Sequence, residues 1–423
     1  MSTVYVVGGG LAGLSAAVAL AEKGARVVLF EAAGQAGGRC RSYFDAQLDC
    51  VIDNGNHLVL SGNRAIYDYL RTIGAEKALV GPQRAEFAFA DLISGERWRF
   101  TPNQGPLPWW IFDSTRRVPG TKPADYLRLT VLLTANPARR IDEVISCKGV
   151  LWERLLRPFL LAALNTEPAG ASAALAGAVL RETLAKGGRA YRPRIAHPTL
   201  AAAFVDPALA YLAAKDALVH FGQRLRRIVL DGDHAMALEF PESTLPLSPG
   251  DTVVLATPPW VTRELLSKVI VPDEFHAIVN GHFKLAPPAG AAPMLGVVGG
   301  TAEWIFSFPD RISVTVSAAD AIADKEREAL AALLWRDVAK VHGLSPALPP
   351  WQIVKERRAT FAATPEQAAK RPQAKTEWRN LLLAGDWIDT GLPATLESAV
   401  RSGQKAAQLA LSRGGRSGEV DGG

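Results

Sequence analysis

Hydrophobic and polar positions divide this chain into short apolar runs, separated by two long mixed blocks. Val4 to Val7 is a β-branched run that stops at Gly8-Gly9-Gly10. Leu11 to Lys23 is rich in Ala and Leu at helical spacing, and Gly24 closes it as a C-cap. Arg26 to Glu31 is a second strand of the buried type. Strand, helix and strand in so short a stretch predict two parallel strands joined by a right-handed crossover.

The pattern then changes. Pro102, Pro106, Pro108, Pro119 and Pro123 break up a loop-rich stretch, followed by helical spacing over Ala124–Thr134 and Val150–Ala163. Strand patterns return at Leu218–Phe221, Leu225–Leu230, Ala235–Phe240 and Thr252–Ala256, set apart by Asp231-Gly232-Asp233 and Pro249-Gly250-Asp251. A second Pro-rich block holds a strand pattern at Ile312–Ser317 and a helix over Asp324–His342. An apolar strand, Asn380–Gly385, and a helix over Leu396–Leu411 come last. The expected architecture is α/β. Residues 1–80, 196–260 and 376–413 form a Rossmann-like nucleotide-binding domain. Residues 81–195 and 261–375 form an interleaved α+β substrate domain, and 414–423 a disordered Gly/Ser-rich tail.

With 423 residues, 48% of them hydrophobic, the chain has material for a large core. A net charge of +5 is mild, and its basic pairs (Arg116-Arg117, Arg139-Arg140, Arg226-Arg227, Arg357-Arg358) are scattered. They suit a solvated surface or anionic lipid; no nucleic-acid-binding signature accompanies them. Cys40, Cys50 and Cys147 lack CxxC spacing and a neighbouring His, which argues against a disulfide framework and a metal site. The expectation is a metal-free protein of a reducing, cytoplasmic compartment. Neither a signal-peptide pattern nor a membrane-spanning apolar run appears.

The first candidate site is Gly8-x-Gly10-x-x-Gly13 between strand and helix, with Glu31 ending the second strand. Gly8 allows the tight turn, Gly10 a close backbone approach to a pyrophosphate, and Gly13 close packing of helix on strand. Leu11 and Ala12 open that helix, whose N-terminus favours negative charge, and Ala32 follows the acid. Glu31 can accept both ribose hydroxyls of an adenosine and would repel the 2′-phosphate of NADP, leaving FAD or NAD. Gly37-Gly38-Arg39 and Asp53-Asn54-Gly55-Asn56-His57 follow, the glycines suiting close backbone passage and Arg39 a phosphate.

With this GGR segment downstream of the ribose-binding acid, the chain resembles the flavin amine oxidase and phytoene desaturase superfamily. Two later segments agree: Asp251–Pro259, a strand returning to the cofactor domain, and Leu382-Leu-Ala-Gly385-Asp386 with Pro393–Gly403. The resemblance implies FAD in a domain of the glutathione-reductase-2 type, and noncovalent FAD, because the C-terminal cysteine through which some amine oxidases attach it is missing: the last cysteine is Cys147. It places Gly385 and Asp386 on the cofactor, and Thr395 and Leu396 near the pyrimidine end. It adds Leu225 and Thr257 to the cofactor set. Gly37–Asp45, Ile52–Leu58, Ser61–Asn63, Phe204–Pro207 and Pro393–Ala399 look like one branch, the squalene-associated FAD-dependent desaturases, or hydroxysqualene dehydroxylase family.

That branch implies reduction of an allylic alcohol, hydroxysqualene, to squalene, with reduced flavin giving hydride to the carbon that loses hydroxide. Trp98, Phe100, Trp109, Trp110, Phe112, Trp304, Phe306 and Phe308 are candidates to line an apolar tunnel. His57 and Lys284 are the candidate catalytic residues, for proton delivery or flavin tuning. A polyisoprenoid substrate implies peripheral contact with the cytoplasmic face of a membrane, and Pro106–Phe112 beside Arg116-Arg117 is the candidate anchor. No second dinucleotide fingerprint appears, which argues against a dedicated NAD(P)H domain; these residues do not name the electron donor. A carotenoid-like desaturase, an amine oxidase and a redox-inert flavin-binding protein are the competing readings.

Overall fold

A computed structural model describes residues 2–414. The tail expected to be disordered lies outside the described residues from residue 415 on. The opening unit forms as Thr3–Val7, the helix Leu11–Glu22 and Arg26–Phe30. Its strands belong to a five-stranded parallel sheet in the order Leu218–His220, Arg26–Phe30, Thr3–Val7, Thr252–Leu255, Leu381–Leu383. One face packs on the helices Leu11–Glu22 and Leu396–Gly414 and the other on the antiparallel strands Arg227–Asp231, His234–Glu239 and Thr244–Pro246, so inner strands are continuous apolar runs; Thr252–Leu255 is buried at every position. Strand order reverses at Thr3–Val7, which leaves a crevice at the C-terminal ends of the strands. The terminal helix Leu396–Gly414 crosses the first helix at Gly403, where a Cβ would lie 2.2 Å from the Ala12 carbonyl oxygen.

The second sheet has seven strands: Trp351–Phe361, Phe275–Phe283, Ile312–Val316, Trp304–Ser307, Met294–Val298, Phe87–Asp91 and Arg97–Phe100. One face packs on the helix Arg327–His342 through Val279, Phe283, Val314, Leu334 and Trp335. Cross-strand pairing aligns Asn280, Thr315, Trp304, Gly296, Phe89 and Trp98 in one row on the opposite face. His282, Ser313, Phe306 and Met294 form a second row. Both rows run from polar to apolar across the sheet.

The helical block differs from its sequence pattern in detail. Ala124–Thr134 is a short α-helix, Pro123–Leu127, running into a 3₁₀ stretch, Arg128–Thr134. The segment expected as a helix from Val150 contains a π-helical turn at Trp152–Leu156, ahead of Arg157–Leu164. Pro158 has no N–H for the Arg154 carbonyl, which removes the α-helical bond at this turn. The expected boundary at 195/196 needs correcting. It cuts the strand Pro193–Ala196, which pairs with Leu58–Leu60 and Leu79–Val80 of the first segment.

Candidate active site

The crevice is built by glycines that have no room for a side chain. Gly8 adopts φ 110°, and a Cβ there would lie 2.5 Å from the Ala256 carbonyl oxygen. A Cβ on Gly13 would lie 1.8 Å from the Gly8 carbonyl oxygen, so helix and turn meet backbone to backbone. At Gly10, by contrast, a Cβ would meet no atom within 4 Å: the turn leaves open space in front of the helix N-terminus. Leu11 and Ala12 are buried beneath it. Glu31 accepts from the amides of Gly9 (2.6 Å) and Ala33 (2.8 Å), flanking exposed Ala32. Each carboxylate oxygen keeps a lone pair for a ribose hydroxyl.

Further along the crevice, Gly37 donates to the Gly9 carbonyl at 2.8 Å and places Gly38 and Arg39 beside the turn. The Arg39 guanidinium pairs with Asp386 at 2.7 Å and also donates to the Ala359 carbonyl. Gly385 is held by the Ser402 hydroxyl at 2.9 Å, and the Asp386 carbonyl accepts from Ser398 at 3.3 Å. Thr395 caps the terminal helix by accepting from the Ser398 amide at 3.2 Å, with Leu396 next to it, half-buried. Thr257 sits across the crevice, its carbonyl bound by the Trp387 indole at 3.0 Å. Burial and the adjacent Arg39 lower the His57 imidazole to about 4, so it is neutral at neutral pH.

The loop Asn54–Asn56 abuts the polar end of the seven-stranded sheet. Asn56 donates to the Thr315 hydroxyl (3.0 Å), which donates to Asn280 Oδ1 (2.8 Å), and Asn54 donates to Glu356 (3.3 Å). Gly55 passes so close that a Cβ would lie 2.9 Å from Asn280 Nδ2. Asn56 Oδ1 is buried without a partner among the described residues. Asn280, Thr315, Glu356 and Ala359 are absent from the sequence-based set. The signal for Asn280 was polar 280 and 282 among the apolar positions of Phe275–Phe283. His282 is fully buried, bonded to Ser313 at 2.8 Å.

Lys284 is corrected. It lies past the end of Phe275–Phe283, exposed, with Nζ 3.5 Å from the Asp49 carbonyl, and takes no part in the Arg39–His57–Asp386 group. Asn280, which meets Gly55 and Asn56, marks the site's level on that strand, and Lys284 lies four residues beyond it. Leu225 is buried in an apolar cluster with Ile228, Leu238 and Phe240; two residues earlier, Gln223 donates to the Glu31 carbonyl.

Beyond Thr315 the sheet face borders a narrow cavity. Phe87, Phe89, Phe100, Phe159, Tyr191 and Trp304 line it with Leu155, Leu156 and Leu184. Phe100 and Trp304 were anticipated as tunnel residues. Trp98 and Phe306 are buried nearby in the sheet, whereas Trp109 and Phe112 are exposed.

A model of the flavin containing amine oxidoreductase family matches residues 11–411. A hydroxysqualene dehydroxylase of Rhodopseudomonas palustris is 55% identical over 97% of this chain and 99% of its own length. The chain belongs to the flavin-containing amine oxidoreductases, in their hydroxysqualene dehydroxylase branch. Another member of that branch, from Zymomonas mobilis, is 49% identical over 97% of this chain and 100% of its own. The fold is that of the wider family: cyclohexylamine oxidase from Brevibacterium oxydans superposes with TM-score 0.71 at 16% identity, over 97% of this chain and 99% of that one. FAD is the cofactor, and the crevice fits it. The open cradle at Gly10 suits a pyrophosphate, and Glu31 has lone pairs to spare for a ribose. The unpartnered Asn56 Oδ1 offers an acceptor.

Proposed function

We propose that this flavin-containing oxidoreductase reduces an allylic polyisoprenoid alcohol, hydroxysqualene, to squalene. The observation that carries this reading is 49–55% identity, over 97% of the chain, to relatives named hydroxysqualene dehydroxylase. Likeness to L-amino-acid oxidases covers only 17% of the chain. The sheet face adds support: polar beside Asn54–Asn56 and aromatic beyond, it matches a hydrocarbon carrying one hydroxyl.

When bound and reduced, FAD supplies a hydride to the carbon that loses its oxygen. The turn at Gly8–Gly13 and Gly38-Arg39 would hold the pyrophosphate, Glu31 the ribose and Asp386 the ribityl chain. Thr395 and Leu396 would meet the pyrimidine end. Binding is noncovalent in this reading: the last cysteine is Cys147, so the C-terminal segment that meets the flavin has none to attach it, and burial pushes the Cys40 thiol up to about 12. His57, being neutral, orients the cofactor and is not an imidazolium acid. The aromatic walls exclude water from the carbon that becomes electron-deficient as oxygen departs.

The substrate is reached by peripheral contact with an anionic bilayer on its cytoplasmic side. Leu107, Trp109 and Phe112 are 61%, 66% and 62% exposed, while Trp110 and Ile111 are buried and fix their loop. Arg116 and Arg117 stand behind it to meet lipid phosphates. No helix among the described residues is long and apolar enough to cross a membrane.

The test is anaerobic. Chemically reduced holoprotein mixed with hydroxysqualene should regain oxidised-flavin absorbance, one flavin per substrate. Flavin that stays reduced would overturn the reading.

A further inference from the structure

Two buried polar side chains of the seven-stranded sheet are directed at one object, the loop Asn54–Asn56. Asn280 is 1% exposed and Thr315 9%, in a row that continues into Trp304 and Phe89. Apolar residues would extend that row without burying an amide and a hydroxyl, groups that are tolerated inside only when bonded. Their bonds lead out of the sheet. Asn56 Nδ2 donates to the Thr315 hydroxyl, the hydroxyl donates to Asn280 Oδ1, and the Asn56 backbone N–H reaches the same Oδ1 at 3.4 Å. The Thr315 hydroxyl is thus the link between two amides, and it fixes which way the Asn280 amide is turned: Oδ1 accepts, so Nδ2 faces Gly55.

The glycine reports the same approach independently. Gly55 does not have a positive φ, so its backbone conformation is open to any residue. What excludes a side chain is Asn280 alone. A Cβ on Gly55 would lie 2.9 Å from its Nδ2, 3.5 Å from Cγ and 3.6 Å from Oδ1, and these are the three nearest atoms. At its start the loop is anchored elsewhere, because the Asp53 carboxylate accepts from the Ser42 hydroxyl at 2.6 Å and the Leu200 amide at 2.9 Å. The loop therefore hangs between the cofactor crevice and the substrate sheet, and Thr315 closes its contact with the sheet. A polar pair kept on a buried face for such a contact marks a functional constraint.

We propose that Thr315 is a positioning residue: through Asn280 and Asn56 it sets the seat of the Asn54–Asn56 loop on the substrate sheet, and so the placing of the bound flavin relative to the carbon it reduces. This rests on the functional reading above and adds to it the residue that couples the two sheets.

The test compares wild-type, Thr315→Val and Thr315→Ser holoprotein. Visible circular dichroism reads the surroundings of the bound flavin ring, which a loss of stability alone does not move. Thr315→Val should keep its flavin, change that dichroism, and slow anaerobic flavin reoxidation by saturating hydroxysqualene at least about tenfold. Thr315→Ser, which keeps the hydroxyl, should restore both. If Thr315→Val does not fold, Thr315→Ala removes the hydroxyl without setting a methyl between the two amides and should show the same changes. Unaltered dichroism, unslowed reoxidation, plain loss of flavin, or a serine variant no better than valine would each overturn the role of Thr315. Wild-type flavin that stays reduced in hydroxysqualene would instead overturn the functional reading, and the dichroism would still decide whether Thr315 seats the loop.

Discussion

The Arg39–Asp386 ion pair joins residues 347 positions apart and fixes the electrostatics of the site. Its cation faces His57 and, with burial, keeps that imidazole neutral well below its ordinary value of 6.5. A lowered folded value means that His57 takes up a proton only as pH falls toward about 4, so turnover should pass through pH 6.5 without an inflection from this residue. Replacing His57 with Ala should leave FAD bound yet reduce turnover at least about tenfold. Flavin content and steady-state rate measured on one preparation check this, and full activity in a flavin-replete variant would remove His57 from the mechanism. Arg39 and Asp386 were each legible as cofactor residues, because each sits in a short local motif. Their pairing was not legible, since nothing local links the two positions. Asn280 and Thr315 were missed for another reason: polar positions alternating along a strand look like a solvent face until a loop such as Asn54–Asn56 covers them.

At the level of elements, the glycine turn was the most readable feature, because its chemistry lies within one turn and one helix. The contact between Gly13 and Gly8 makes it fragile. Gly13→Ala would force a Cβ to within 1.8 Å of the Gly8 carbonyl oxygen, pushing the helix off the strand. The variant should purify with less than about a tenth of the wild-type flavin, read from its visible absorbance and the supernatant after denaturation. Retention of full flavin would show that the helix can move without losing the cradle. The long strands Phe275–Phe283 and Trp351–Phe361 were hidden inside a stretch read as mixed. Their register is irregular between His276 and Ile278, and their inner faces are polar where they meet the cofactor loop. Lys284, the other candidate catalytic residue, lies just past the end of Phe275–Phe283, exposed, with Nζ 3.5 Å from the Asp49 carbonyl.

Across the whole molecule, the two sheets divide the work. The five-stranded sheet draws on residues 3–30, 218–220, 252–255 and 381–383, and the seven-stranded sheet on 87–100 and 275–361. Returns of the apolar strand pattern signalled this interleaving, while the boundary at Pro193 was masked by the Gly187-Gly188 approach to a short strand that itself opens on a proline. The exposed Leu107, Trp109 and Phe112 sit on the substrate side, near the cavity: Phe100 of its wall packs edge-to-face on Trp110, 4.9 Å between centroids. Trp109→Ala with Phe112→Ala should weaken co-sedimentation with anionic liposomes while sparing turnover of detergent-dispersed substrate; unchanged co-sedimentation would exclude this loop as the anchor.

The central claim is that the cofactor crevice serves reductive removal of an allylic hydroxyl. Its most direct test is product analysis after anaerobic incubation of purified, chemically reduced holoprotein with hydroxysqualene. The account predicts squalene in proportion to the flavin oxidised. Recovery of hydroxysqualene unchanged, or of a more unsaturated product, would contradict it.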